Sequence, residues 1–354
     1  MKIMFLCHGA GNGGAERVIT TLSGAFAEKG YDVSLVTTSE AKNDYVLNSR
    51  IHHTVILSNK GNVVSRSVDR VIQLRDFVKK TSPECIISFS AVPNLQAIAA
   101  TIGINCRLII SERTDPSRYP TSKIGRQLRE LLYPFADKIV FQTEEAKNFF
   151  PSKIKNKSII IPNPVRDDLP KPYCGEREKK VIGVGSLGEQ KNWTVALEAG
   201  KIFFKNHPDY TMEIFGEGPL RNNLQQIIDN DTYLKSHVFL RGFSHDVVTE
   251  MLKATMYVSS SDYEGISNAM LEALAVGLPS ICTDCPVGGA RENIVDGENG
   301  LLVPVKNPNK LAEAMEKVAS NIELRQKFST NAPEIRERLK LDRIVQMWEK
   351  EVTG

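Results

Sequence analysis

Two glutamates, Glu264 and Glu272, stand eight positions apart in the stretch 259–279, between a strand-like run and an alanine-rich one. Ionised carboxylates accept hydrogen bonds from sugar or ribose hydroxyls, and one can also steady positive charge on a reacting ring. Gly265 reads as a tight turn, and Gly277 with Pro279 just beyond reads as a helix stop. The spacing predicts that Gly265, Ile266, Ser267 and Asn268 form the first helical turn, with both acids on one side about two turns apart. The backbone N–H groups of such a turn, with the helix dipole, favour a phosphate. Taken alone, Glu272 reads as easily as a solvated residue on an ordinary helix.

A second group precedes them. Gly183-Val-Gly185-Ser186-Leu-Gly188 fits Gly-x-Gly-x-x-Gly between a strand and a helix, and Glu217 is a loose match for a ribose-binding acid. That leaves a nicotinamide-dependent oxidoreductase open. Lys191, at the entrance of the next helix, is a charge this reading does not use, whereas a sugar nucleotide brings a diphosphate that would.

These residues need a scaffold. At 354 residues the chain calls for two domains, and 41% hydrophobic with 25% charged residues is the balance of a globular α/β protein. A strand at Lys2 to Cys7, a loop with glycines at 9, 11, 13 and 14, an amphipathic helix and a strand at Asp32 to Thr37 make one unit of a doubly wound sheet. Similar units continue to a strand ending at Ile161. Four prolines between 162 and 172 read as a linker, after which strands at Val181 to Val184, Thr211 to Phe215, Val238 to Leu240, Met256 to Ser259 and Ser280 to Thr283 alternate with helices. The expected division is a first Rossmann-like domain over 1–165, a linker over 166–178, a second Rossmann-like domain over 179–334, and a helix over 335–354 carrying Trp348 back towards the first domain.

Net charge is +3, which argues against a nucleic-acid binder. It is unevenly spread: residues 1–165 hold 22 Lys/Arg against 14 Asp/Glu, and the remainder 23 against 28. A basic first half and an acidic second half suggest different partners. No apolar run reaches bilayer-spanning length, and the first residues read as a strand rather than a signal peptide, so a cytoplasmic protein is expected. Cys282 and Cys285 lack a second ligand pair and read as small buried residues.

The segment Ser259 to Pro279 resembles the Glu-x7-Glu signature of glycosyltransferase family 4. Other segments are similar to the same family: Gly185-Ser-Leu-Gly-Glu-Gln-Lys191, Gly216-Glu-Gly218-Pro, Leu240-Arg-Gly-Phe243, Ile161-Pro-Asn-Pro-Val165, Gly13-Gly-Ala-Glu-Arg17 and Ile110-Ser-Glu-Arg-Thr-Asp-Pro116. The last two resemble bacterial members that extend lipid-linked oligosaccharides. The resemblance implies a GT-B fold, two Rossmann-like domains facing each other across a cleft, and a retaining transfer of a hexose or N-acetylhexosamine from a UDP-sugar to a glycan acceptor, with no metal or other cofactor. It assigns Glu264 to the sugar, Glu272 to the ribose, Lys191 to the diphosphate, and Gly13, Gly14, Ser186, Gly216, Gly218, Phe243, Gly265, Ile266, Ser267 and Asn268 to donor binding. Two positions depart from the family. Ser186 stands where an arginine of the phosphate clamp is expected, which leaves Arg113 as a candidate for the missing charge, and Arg113 itself stands where a histidine is commoner. A UDP-sugar epimerase on this fold and a catalytically weak binding protein are the remaining alternatives.

The helix from Lys123 to Pro134 sets Ile124, Leu128, Leu131 and Leu132 on one stripe beside Lys123, Arg126 and Arg129. An ordinary helix would bury the stripe and leave the cations in water. The basic balance of the first half favours instead a docking contact with an anionic membrane surface.

Overall fold

The computed structural model describes residues 1–11, 13–40, 45–173 and 175–354. It divides into two units, Met1–Pro164 with Asp342–Gly354, and Val165–Leu341. Asn12 of the glycine loop and Cys174 of the expected linker lie outside the described residues.

The first unit is a parallel seven-stranded sheet of β1 (Lys2–Cys7), β2 (Asp32–Thr37), β3 (His52–Val55), β4 (Cys85–Phe89), β5 (Arg107–Ser111), β6 (Lys138–Phe141) and β7 (Ser158–Ile160), in the order β3-β2-β1-β4-β5-β6-β7. Its inner strands are continuous apolar runs because helices cover both faces. Strand β3 escapes the sequence reading: His-His-Thr-Val at the sheet edge is mostly exposed and carries no apolar alternation. Helices α1 (Gly14–Glu28), α2 (Val63–Thr81), α3 (Ala91–Thr101) and α4 (Lys123–Leu132) complete the unit's main layers.

The second unit is a parallel six-stranded sheet of β8 (Glu178–Val184), β9 (Thr211–Phe215), β10 (Val238–Gly242), β11 (Ala254–Ser259), β12 (Ser280–Thr283) and β13 (Leu301–Val303), in the order β10-β9-β8-β11-β12-β13. Helix α5 (Trp193–Phe203) follows β8, and α6 (Asn268–Ala275) follows β11. In both sheets the order reverses beside the first strand, between β1 and β4 and between β8 and β11. Loops leaving the carboxyl ends of two strands diverge there and open a crevice, the usual ligand position of such sheets.

The segment 166–178, expected as a linker, is fastened to the second unit. Arg177 donates to the carbonyls of Leu252, Ala254 and Gly277 at 2.9–3.1 Å, and Arg336 donates to those of Leu169 and Pro170 at 2.7 Å. Prolines signal a chain without ladder partners, but these carbonyls are met by arginine side chains instead. Helix α7 (Leu341–Thr353) rejoins the first unit from Asp342 onward. Trp348 packs on Phe89 with ring centroids 5.5 Å apart, and Arg107 Nε donates to the Glu351 carbonyl at 2.6 Å.

Helix α4 corrects the expectation that its cations lie in water. Arg129 is fully buried, donating to the carbonyls of Pro116 at 2.8 Å and Tyr119 at 2.6 Å and standing 4.7 Å over the Phe150 ring. Loop carbonyls taken out of water need donors, and the guanidinium supplies them. Glu112, also buried, accepts from the Tyr133 hydroxyl at 2.8 Å and lies 3.9 Å from Arg129. Burial pushes its carboxyl up to about 7, against the opposing pull of Arg129.

A pH dependence follows. The folded chain holds a proton that the unfolded chain releases near the ordinary value of 4.5, so this contribution to stability is complete below that pH and is lost as pH rises through about 7. It amounts to at most about 3 kcal/mol. The thermal midpoint should fall between about pH 5 and about pH 8, and Glu112→Gln should flatten the fall. A variant with the parent's slope would show that the proton sits elsewhere.

Candidate active site

The reversal point of the second sheet brings two loops together. The segment after β8 ends in a short turn, Glu189–Lys191, and the segment after β11 runs from Ser260 to Ser267. Four hydrogen bonds join them: Asp262 N to the Gln190 carbonyl at 2.9 Å, the Ser260 hydroxyl to the Lys191 carbonyl at 2.9 Å, Asn192 Nδ2 to Asp262 at 2.8 Å, and Gln190 Nε2 to Glu264 at 3.1 Å. Lys191 donates directly to the Glu264 carboxylate, which also accepts from Ser261 at 3.3 Å. Lys191 and Glu264, 73 positions apart in sequence, thus form one ion pair. Both are mostly withdrawn from solvent, so their charges are weakly screened.

Support comes from the neighbouring strand. The Thr283 hydroxyl donates to the Ser261 carbonyl at 2.6 Å, and Cys285 Sγ donates to the same oxygen at 3.0 Å. Burial pushes the Cys285 thiol up to about 12 and holds Cys282 protonated as well, so the Cys-x-x-Cys pair is packing.

Glycines let the loops approach. A Cβ at Gly216 would overlap the Gly185 carbonyl, and one at Gly218 would lie 2.5 Å from the Leu187 carbonyl oxygen. Both glycines, expected to touch the donor, instead make room for the loop that carries Lys191. A Cβ at Gly289 would overlap the Gly265 carbonyl, which gives the turn at Gly265 a backbone floor. A Cβ at Gly183 would meet the Trp193 indole at 2.6 Å, and Gly188 leads into the short turn rather than into a helix. The dinucleotide fingerprint therefore serves tryptophan packing and a lysine-bearing turn. Glu217, its loose ribose acid, accepts from Arg221 at 3.1 Å.

Ser186 is exposed, with its carbonyl accepting from Trp193 Nε1 at 3.0 Å. Phe243 is partly exposed just past β10, whose end is tied to β9 by Gly216 N donating to the Gly242 carbonyl at 2.8 Å. Lys306, absent from the sequence reading, lies 3.6 Å from Asp262 and adds a cation at the margin of these loops.

The start of α6 differs from expectation. The helix begins at Asn268, with Ser267 as its cap accepting from Met270 N at 3.4 Å, so Gly265, Ile266 and Ser267 belong to the preceding loop. A serine hydroxyl competes for the first N–H groups and fixes the start behind itself. The exit is as read: Gly277, at φ +70°, closes the helix while Gly277 N and Leu278 N bond to the carbonyls of Leu274 and Ala273 at 3.0 and 2.9 Å. Glu272 is buried, not solvated, and lies 3.5 Å from Arg166, which also grips Asp168 at 2.8 and 2.9 Å. Nothing in the sequence links Arg166 to an acid 106 positions away. Gln190, by contrast, was legible beside Lys191.

The first unit holds the other expected residues. Gly13 caps α1, and the carboxylate of Glu16 folds back over it, so an acid of the chain itself stands where the sequence reading expects a phosphate at Gly13 and Gly14. A helix start attracts its own acid when one is in reach. Arg113 is buried: it donates to Asn163 and to the Ser111 hydroxyl at 3.3 Å, with its guanidinium 4.4 Å over the Phe89 ring. Burial lowers it to about 9. Its guanidinium is committed inside the first unit, which removes the reason to expect it as the replacement for the missing arginine at Ser186. Ser90, at φ +77° where the first sheet reverses order, holds a backbone conformation that β-carbon residues rarely adopt, and the sequence gave no sign of it.

Asp229 and Asp231, an Asp-x-Asp spacing that the sequence reading passes over, are engaged elsewhere. Asp231 caps a helix and pairs with Lys201, and Asp229 accepts from Gln225 at 2.9 Å.

Two family models meet end to end on this chain, the one described as Glycosyltransferase Family 4 over residues 12–169 and the one described as Glycosyl transferases group 1 over residues 166–335. The chain belongs to glycosyltransferase family 4. This family 4 glycosyltransferase is 27% identical over 357 residues to the GalNAc-alpha-(1->4)-GalNAc-alpha-(1->3)-diNAcBac-PP-undecaprenol alpha-1,4-N-acetyl-D-galactosaminyltransferase of Campylobacter jejuni, covering 99% of this chain and 98% of that one. It is also 27% identical to that organism's N-acetylgalactosamine-N,N'-diacetylbacillosaminyl-diphospho-undecaprenol 4-alpha-N-acetylgalactosaminyltransferase, over 94% of this chain and 93% of the relative. Among solved structures, Anabaena HepE in complex with UDP and glucose matches with a TM-score of 0.87 at 16% identity over the full length of both chains. Staphylococcus aureus TarM, in complex with UDP and a glycan, matches at 0.82 and 15%. Those likenesses establish the GT-B fold of the family 4 enzyme.

Proposed function

We propose that the enzyme moves a hexose or N-acetylhexosamine from a UDP-sugar to a glycan acceptor carried on a lipid, with retention to give an α-linkage. The observation that carries this is the Lys191–Glu264 pair at the reversal point of the second sheet. Breaking the bond from the anomeric carbon to the diphosphate leaves negative charge on phosphate oxygen and positive character on the ring. Lys191 stabilises the departing diphosphate, and Glu264 turns to a sugar hydroxyl and the ring's positive side. Because Gln190 and Ser261 hold Glu264 from its other side, the carboxylate stays in position when the lysine bonds phosphate. Glu272 receives the ribose hydroxyls, oriented by Arg166, and Phe243 lies against the base. The scheme uses no metal. The relatives act on undecaprenol-linked saccharides, which supports a membrane-borne acceptor and a place for this enzyme on the inner membrane face, where its basic first unit meets anionic lipid.

Thermal protection by a panel of UDP-sugars, GDP-sugars and NADH tests the reading. A ligand at a hundred times its dissociation constant stabilises by about 2.7 kcal/mol. UDP-sugars should raise the midpoint and the others should not. Glu272→Ala should weaken UDP binding about tenfold or more by removing charged hydrogen-bond acceptors, while Arg166 keeps Asp168 as its partner. Protection by NADH alone would overturn the reading, and unchanged UDP affinity in the variant would remove Glu272 from the ribose.

A further inference from the structure

The helix layer on one face of the first sheet carries two apolar stripes that nothing within the unit covers. On α4, Ile124, Leu128, Leu131 and Phe135 just beyond its end recur at intervals of three and four, and Ile124, Leu131 and Phe135 are 65–70% exposed. The opposite side of the same helix buries Arg129, so the helix presents its apolar side outward. On α2, Val64, Val68 and Ile72 form a second stripe four residues apart; Val64 and its neighbour Val63 are each 73% exposed. That stripe lines a groove with Lys60 and Asp69.

The two stripes share one layer. The connections β3-α2-β4, β4-α3-β5 and β5-α4-β6 all run in the same direction across the sheet, and such right-handed crossovers place their helices on the same face. Helix α3 packs against both α2 and α4 and therefore lies between them. Both α2 and α4 also begin past the carboxyl ends of their strands, the edge where ligands of these sheets bind. Cations accompany the stripes: residues 57–82 hold six Lys/Arg against two Asp/Glu, and residues 117–135 hold four against one. Lys60 and Lys123 are exposed at the helix starts, and Lys79 and Lys80 at the end of α2. The large exposed apolar residues of the second unit, such as Tyr233, Val295 and Ile322, form no comparable stripe.

We propose that this layer is the docking surface for a bilayer containing anionic lipid, with the side chains of α2 and α4 entering between headgroups and the flanking lysines and arginines meeting lipid phosphate. Two parallel elements of one layer can meet a flat surface together, and the excess of cations fits an anionic one. This deepens the membrane contact proposed above, on which it rests, and replaces attraction by charge alone with apolar insertion steered by charge. It also gives the inverted helix α4 a use: burying Arg129 frees the leucines for lipid.

Flotation of the full chain with phosphatidylcholine vesicles and with vesicles that also contain phosphatidylglycerol, in about 0.1 M and about 1 M salt, tests this. The parent should bind the anionic vesicles and keep a measurable part of that binding at the higher salt. Leu128→Glu with Leu131→Glu, and separately Val64→Glu with Val68→Glu, should each lower binding about tenfold or more, since each exposed aliphatic side chain that enters lipid is worth roughly that factor. Ile322→Glu, on the second unit, should bind as the parent does. All these positions are exposed, and circular dichroism checks that each variant folds. Vesicle binding unchanged in both double variants, or lost completely at the higher salt, would overturn the proposal. So would a parent that ignores vesicles but dimerises through the stripes, shown by sedimentation in which the double variants become monomers. Hydrolysis of UDP-sugar in the absence of vesicles, measured on the same proteins, separates the two readings: docking without hydrolysis defeats the transfer reaction alone, and hydrolysis without docking defeats this surface alone.

Discussion

Lys191→Ala is expected to lower turnover by about two to three orders of magnitude, which corresponds to about 2.7–4 kcal/mol of transition-state stabilisation from one preorganised donor. The size follows from where the ammonium is held. The short turn Glu189–Lys191 is stitched by backbone and side-chain bonds to the loop 260–264, so the lysine does not have to find its position when the diphosphate departs. Folding should survive, because Glu264 keeps Gln190 and Ser261 as donors after the lysine is gone. Single-turnover rates with a UDP-sugar, alongside a thermal melt, measure both. Turnover within a few-fold of the parent would take Lys191 out of the reaction.

Glu264→Gln should reduce turnover by about a hundredfold or more while leaving UDP affinity within a few-fold, since the lost charge acts on the sugar as it becomes positive and not on the nucleotide. The amide preserves shape and still offers Lys191 an oxygen. The ion pair makes a further demand: combined with Lys191→Ala, the substitution should cost much less than the two effects added together, because each single change already disables the pair. Additive losses would mean the two side chains act on separate steps. A parallel loss of UDP affinity in Glu264→Gln would move this acid from the sugar to the nucleotide.

The identity of these residues was legible in the chain; their surroundings were not. Gly183, Gly185, Gly216 and Gly218 stand out by type alone, yet whether a glycine touches a ligand or makes room for another loop depends on what lies opposite. Here the opposite atoms are the Trp193 indole, Lys191 and the carbonyls of Gly185 and Leu187. Glu272 on a helix reads as a surface residue until Arg166 is placed 3.5 Å away, and local sequence carries no trace of a partner 106 positions distant.

What the sequence determined by itself was the periodic information: apolar runs separated by amphipathic helices, which require parallel sheets covered on both faces, and the glycine, lysine and glutamate positions at the ends of those runs. Burial at the helix surfaces was decided only in three dimensions. The alternation in α4 shows which residues share a side, but not which side faces inward. That choice went to Arg129, because the carbonyls of Pro116 and Tyr119 and the carboxylate of Glu112 needed a donor away from water more than the leucines needed cover. The position of α7 was likewise set by tertiary contacts. Its amphipathic pattern demands a partner, and the Phe89 ring and the Arg107 side chain that receive it belong to strands encoded some 250 residues earlier, a pairing that only the folded chain can make.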